Sequence, residues 1–181
     1  ELPGRVEAAL GDLGPMKLVF GSAHSGDAAN VIPTHATLRA SVRTPSIAAW
    51  EAMPRAFETA VASLLEDTGA TYETTYVHGV PPVVNDGDIT DMVRRAAAIE
   101  LGEDALTDAG HSWGGDDVAW YRREGRGTYI RLGTHDPDSA NDHFDLHVGH
   151  FDVDERAIPT GIRLLTAAVY THLEEHAAAT D

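Results

Sequence analysis

Ala36-Thr37-Leu38-Arg39-Ala40-Ser41-Val42-Arg43-Thr44-Pro45 is the stretch on which the fold turns. Leu38, Ala40 and Val42 alternate with Thr37, Arg39, Ser41 and Arg43, the period-two pattern of a strand with one buried face. Thr44-Pro45 breaks the alternation and offers an N-cap followed by a first-turn proline, so a helix is predicted to start there. Ile47, Trp50, Phe57, Val61, Leu64 and Leu65 keep helical spacing as far as Gly69. Pro54 predicts a kink in that helix, or its division into a short first turn and a main body. Working outward, Lys17–Ala23 reads as a strand, preceded by the end of a helix and a turn at Gly11, Gly14 and Pro15. On the other side, Thr71–His78 is rich in Thr, Tyr and Val and reads as a further strand. The order strand, strand, helix, strand predicts an α/β fold whose first unit is a β-α-β-β-α-β ferredoxin-like sandwich missing its first strand and helix.

After Gly79-Val80-Pro81-Pro82 the pattern changes, which divides the chain into residues 1–79 and 80–181. A helix is predicted over Asp88–Leu101, burying Ile89, Met92, Val93, Ala96 and Ala97. A glycine-rich turn at His111–Gly115 leads to a short helix around Asp117–Arg122, and Thr128–Leu132 reads as a strand. A polar loop from Gly133 to about Asp145 precedes a last helix opened by Asp152 and Glu155 at capping-box spacing. That helix continues through Ile158, Ile162, Leu165, Val169 and Leu173, with a kink predicted at Pro159.

The 181 residues hold enough apolar material, 43%, for one ordinary domain or for a small domain and part of another. A net charge of −16 argues against nucleic acid and against anionic membrane surfaces. With no cysteine, disulfides and thiolate metal sites are excluded. No apolar run reaches the roughly 20 residues of a membrane span, and no basic-then-apolar leader is visible, so a cytoplasmic location is expected. The chain opens with Glu1 rather than Met, which suggests a piece of a longer protein.

Ten histidines are present, and His135, His143, His147 and His150 lie in one polar stretch among six aspartates. Imidazole and carboxylate suit zinc, manganese, cobalt or nickel, yet acidic proteins also carry solvated loops of this composition. His172 and His176 have i, i+4 spacing, but a helix C-terminus favours histidine through its dipole alone. His24, His35 and His78 read as surface residues.

The order of segments adds to this. Asn30-Val31-Ile32-Pro33, Val42-Arg43-Thr44, Pro81-Pro82-Val83-Val84-Asn85-Asp86, Gly114-Gly115-Asp116-Asp117, Leu132-Gly133 and Leu146-His147-Val148-Gly149-His150-Phe151-Asp152-Val153-Asp154-Glu155 follow one another along the chain. This series resembles the aminoacylase, carboxypeptidase-G and auxin-conjugate hydrolase family of dinuclear-metal amidohydrolases, from about residue 17 to residue 173. The resemblance implies a partial lid and dimerisation domain over residues 1–79 and a C-terminal segment of the catalytic domain over 80–181. It implies that His147 is a metal ligand, that Asn30 and Arg43 help hold substrate, and that Gly114, Gly115 and Asp116 border the site. His111, four residues before Gly115, is a further candidate for its lining by position alone, beside an ordinary surface role. Arg43 has the fork geometry for a carboxylate, and also sits where structural strand-end arginines are common; Asn30 is equally suited to a turn. Asp116 stands where the family has Glu, one methylene shorter, and is also placed to cap a helix.

The family's His-x-Asp motif, paired glutamates with the general base, and Gly-x-Gly-His lid turn are not found in the chain. One histidine cannot hold two metals. The chain alone is therefore expected to be inactive and to bind at most one metal weakly. The intact enzyme would use two divalent ions (Zn, Mn, Co or Ni), cleave N-acyl-amino acids or small peptides, dimerise through the lid and draw its other ligands from the missing N-terminal half. Two rivals stand beside this reading: a non-catalytic ferredoxin-like module that dimerises or binds a small effector, and a His-rich metal binder using His143, His147 and His150.

Overall fold

The alternation at 36–43 becomes a strand with the predicted ends, but of Leu38, Ala40 and Val42 only Val42 is partly buried, so the expected buried face is not formed among the described residues. In the computed structural model, which describes residues 1–136, 138, 147–149 and 151–177, β1 (Lys17–Ser25) pairs antiparallel with β2 (Ala36–Arg43). The register runs from Lys17 opposite Arg43 to Ser25 opposite Ala36, with a bulge between Phe20 and Ser22. Leu18 and Val42 face each other and pack on the helical core. Directly opposed neighbours one residue along point to the other face, so Lys17 and Arg43 project away from that core.

The core of this unit lies between α1 (Leu2–Leu10) and α2 (Ile47–Leu65). Val6, Leu10 and Met16 meet Ala49, Met53, Ala56 and Ala60. The buried stripe of α2 is thus its alanine and methionine face, whereas the bulky residues named from periodicity are only partly buried. Small side chains let two helix axes approach closely, and the larger ones flank the contact. The helix starts at Ile47 rather than at Pro45, because Ser46 is the cap: its Oγ accepts from the Ala49 N–H at 3.2 Å and donates to the Leu13 carbonyl at 2.5 Å.

Pro54 lies inside α2 without dividing it. A proline has no N–H to offer the carbonyl four residues back, here that of Trp50. His78 fills the gap, its Nε2 donating to the Trp50 oxygen at 3.1 Å while its ring stacks on the Trp50 indole at 3.7 Å. This also corrects the strand predicted over Thr71–His78. Those residues run unpaired beside α2, with Tyr76 against Phe57 and Thr74 Oγ1 donating to Glu58 Oε2. Among the described residues no neighbouring strand offers hydrogen bonds, so side chains hold the segment instead.

The chain gathers into two compact units, Glu1–Val84 with Ser112–Glu124, and Asn85–His111 with Gly125–Asp181. The first includes α4 (Val118–Glu124), with Trp120 edge-on to Trp50 at 6.0 Å, Arg123 over the Trp50 ring and Arg122 Nε donating to the Val84 carbonyl at 3.0 Å.

The second unit is built on α3 (Gly87–Leu101) and α5 (Ala157–Ala177). Asp86 caps α3 through Ile89 N–H and binds Arg126, which also reaches Asp88. The strand predicted over Thr128–Leu132 is not formed. Asn85 takes the place of a strand partner, its amide accepting from Tyr129 N–H at 2.8 Å and donating to Tyr129 O at 3.1 Å. The last helix starts at Ala157, not near Asp152. Asp154 satisfies the opening turn, its side chain accepting from Arg156 N–H and its carbonyl from Ala157 N–H. Pro159 then falls in the first turn, where an N–H would have no helical partner, and costs no bond. Ile158, Ile162, Leu165, Val169 and Leu173 form the predicted row, but each is 57–61% exposed.

Candidate functional site

Two motifs 70 residues apart meet in the first unit. Arg43, the last residue of β2, donates from Nη1 to the Trp113 carbonyl at 2.8 Å. Trp113 opens the Gly114-Gly115 turn, and a Cβ built on Gly115 would lie 3.0 Å from Val80 Cγ2 and 3.8 Å from Arg43 Nη1. A side chain at 115 would therefore press on the segment that passes the guanidinium. Lys17, opposite Arg43 in the hairpin, holds its Nζ 4.4 Å above the Trp113 ring. Among the described residues neither cation has an acidic partner, and the remaining donors of Arg43 meet no acceptor. Sequence reasoning named Arg43, Gly114 and Gly115 but missed Lys17 and Trp113. The signal was available in the hairpin, because pairing the first residue of one strand with the last of the next sets Lys17 against Arg43.

The other named residues are elsewhere. Asn30 is exposed in the turn beyond the opposite end of the hairpin. The eight residues of β2, at about 3.3 Å each, put that end roughly 23 Å from Arg43. Asp116 opens α4, its Oδ1 accepting from Val118 N–H at 2.9 Å and its carbonyl from Ala119 N–H at 3.1 Å. The shorter acid is thus engaged in starting a helix. His111 is exposed and belongs to the second unit.

His147 is exposed in the second unit with φ 74°, alone among the described non-glycine residues in the left-handed region. Such a conformation costs a side-chain-bearing residue about 1–2 kcal/mol and is held by its surroundings. On either side of the polar stretch in sequence, two described segments are tied together. Arg156 binds Asp154 and reaches Asp136 at 2.6 Å, and Asp154 N–H donates to the Thr134 carbonyl at 2.7 Å. The hydrogen bond from Arg156, with its charge, holds the Asp154 carboxyl below its ordinary range. His143 and His150 lie outside the described residues. Among the described residues no three His, Cys, Asp or Glu side chains group closely enough to hold a metal ion. The described part of the chain therefore does not by itself fit a metal pair. A groove of about 390 Å³ between α3 and α5 is lined by Ile99, Ile162 and Tyr170 and contains none of the named residues.

The folded chain is thus an α/β protein in which a hairpin-end arginine meets a Gly-Gly turn. Residues 5–171 match the peptidase family M20/M25/M40, and the chain belongs to that family. It is similar to a protein of Rhodococcus jostii (strain RHA1) named as glutamate–cysteine ligase 2-3, 37% identical over 158 residues, which are 87% of this chain and 19% of that one. A Synechocystis protein named as a hydrolase is 34% identical over 161 residues, 88% of this chain and 41% of its own. The N-acetylcysteine deacetylase of Bacillus subtilis is 30% identical over 134 residues, 74% of this chain and 33% of its own. The chain spans between 19% and 41% of the length of these relatives. No solved structure matches it significantly. No helix among the described residues is long and apolar enough to cross a membrane.

Proposed function

We propose that the chain is the C-terminal part of a metal-dependent amidohydrolase that cleaves the amide bond of N-acyl-amino acids or small peptides. The observation that carries this reading is the meeting of Arg43 with the Trp113-Gly114-Gly115 turn, two stretches singled out separately by the family resemblance. The match over residues 5–171 reaches across both compact units, which speaks against a free-standing ferredoxin-like module confined to the first. A deacetylase among the relatives fits an N-acyl substrate.

In this reading residues 1–79 belong to a ferredoxin-like lid and dimerisation domain, and residues 80–181 to the catalytic domain. Arg43 binds the substrate carboxylate, and the Gly-Gly turn leaves room beside it. His147 contributes one ligand to a pair of divalent metals, which supply an activated water when bound. The general base and the other ligands come from the N-terminal half of the protein. The exposed row on α5 gives that half an apolar surface to cover, since monomeric proteins rarely leave such a row in water. Asn30, at the hairpin's other end, serves substrate where a second copy brings its hairpin tip to the site.

His147→Ala in the full-length protein tests the assignment. Bound metal should fall, and hydrolysis of N-acetyl-amino acids should drop by at least about 10–100-fold, the loss typical of residues that merely orient a ligand. Unchanged metal content and turnover would remove His147 from the site.

A further inference from the structure

Lys17 is the only lysine of the chain, and it stands directly across the hairpin from Arg43. Opposed side chains in an antiparallel pair have Cβ atoms about 4.5–5.5 Å apart, and like charges placed so are destabilising. A chain with 29 acidic and 13 basic residues has ample means to neutralise such a pair. It does so elsewhere: Arg95 binds Glu175, Arg123 binds Glu51, Arg126 binds Asp86 and Asp88, Arg156 binds Asp154 and Asp136, and Arg163 binds Glu100. At Lys17 and Arg43 no carboxylate is supplied among the described residues. Instead both cations converge on Trp113, one over its ring and one on its carbonyl. The indole fixes the ammonium without neutralising it, because a cation–π contact leaves the charge unpaired.

We propose that Lys17 and Arg43 form a two-cation subsite for a carboxylate, with Trp113 as its floor and Lys17 as a specificity-determining residue. The guanidinium offers a planar fork and the ammonium a point charge, so one carboxylate can bridge them. The Lys17 ammonium swings from the indole toward the anion, and the repulsion between the two cations is relieved on binding. That the anion is the carboxylate of an N-acyl-amino acid rests on the function proposed above; that the pair binds a carboxylate does not.

The 181-residue chain, titrated with acetate against chloride at constant ionic strength, provides the first test. Reductive ¹³C-methylation keeps the charge and labels one lysine, so its NMR signal reports Lys17 alone beside the terminal amine. Acetate should shift the Lys17 signal and the Trp113 indole N–H together and saturably. Lys17→Gln should weaken acetate binding, followed at Trp113, by about fivefold, the loss of one charge contact near the surface. Lys17→Glu, which can pair with Arg43, should abolish binding while the chain stays folded. Unsaturable shifts equal to those from chloride, or equal affinities in wild type and Lys17→Gln, would overturn the proposal. In the full-length protein Lys17→Gln should raise KM for an N-acetyl-amino acid with kcat unchanged and leave the matching carboxamide unaffected. If that protein turns over neither compound, the proposed function fails and the acetate titration still decides the subsite.

Discussion

The bond from His78 to the Trp50 carbonyl exists because residue 54 is a proline, and that dependence can be measured. His78→Ala removes a hydrogen bond worth about 0.5–1.5 kcal/mol net and a ring stack worth about 0.5–1.5 kcal/mol. His78 is exposed, which points to the lower half of each range and a total loss of about 1–2 kcal/mol. Pro54→Ala supplies the missing N–H, so the Trp50 oxygen gains its helical donor. In that background His78→Ala should cost only the stack. The two changes should therefore be coupled by about 1 kcal/mol in a double-mutant cycle. All three tryptophans, Trp50, Trp113 and Trp120, lie in the unit that holds α2, so urea unfolding followed by tryptophan fluorescence reports that unit. If His78→Ala costs the same in the wild-type chain as in the Pro54→Ala background, the carbonyl left open by the proline is not what holds residues 71–78, and the account of that segment is wrong.

Gly14→Ala should destabilise the same unit by about 2–3 kcal/mol in the same assay, because φ is 135° and the new Cβ would lie 2.7 Å from the Cβ of Ser46, the cap of α2. Asp154 is held below its ordinary pKa of 3.8 by the Arg156 hydrogen bond, so its stabilising contribution is present above that value and is lost as pH falls through the lower folded-state value. Thermal unfolding scanned from pH 6 to pH 2 should show an acid loss in the wild type that Asp154→Asn reduces, and equal pH profiles would refute a stabilising role for the Asp154–Arg156 pair.

Elements whose stability is local were legible. The alternation at 36–43, the helix at 87–101 and the short helix after Asp116 all formed within a few residues of expectation, because strand pattern, cap and apolar spacing agree there. The misses share a cause. Thr71–His78 and Thr128–Leu132 have strand composition, but a strand exists only beside another, and each is held by side chains instead: His78 and Tyr76 on α2, Asn85 on Tyr129. Helical spacing of the bulky residues does not locate the tightest contact of α2, which Ala49, Met53, Ala56 and Ala60 make with the α1 side of the core. Pro54 predicts a kink or a division of α2 and Pro159 a kink in α5; α2 is not divided. Pro54 is compensated by a histidine 24 residues further along, and Pro159 sits where no bond was at stake.

The site was legible in halves. Family resemblance selected Arg43 and the Gly-Gly turn, but composition and spacing contain no sign that the two meet, since nothing local relates residue 43 to residue 113. Lys17 was invisible for a different reason: a lone lysine at a strand start is ordinary until the register sets it opposite an arginine. Once it does, the physical question changes from why a lysine is there to why its charge is left unmatched in a protein carrying 29 acids. A surface selected for stability alone would place Glu or Asp at one of the two positions, since opposite charges across a hairpin contribute about 0.2–1 kcal/mol where like charges cost a similar amount. Retaining two cations at one tryptophan, one over its ring and one on its carbonyl, forgoes that gain at the hairpin end nearest the glycine turn. A ligand that brings its own negative charge recovers it.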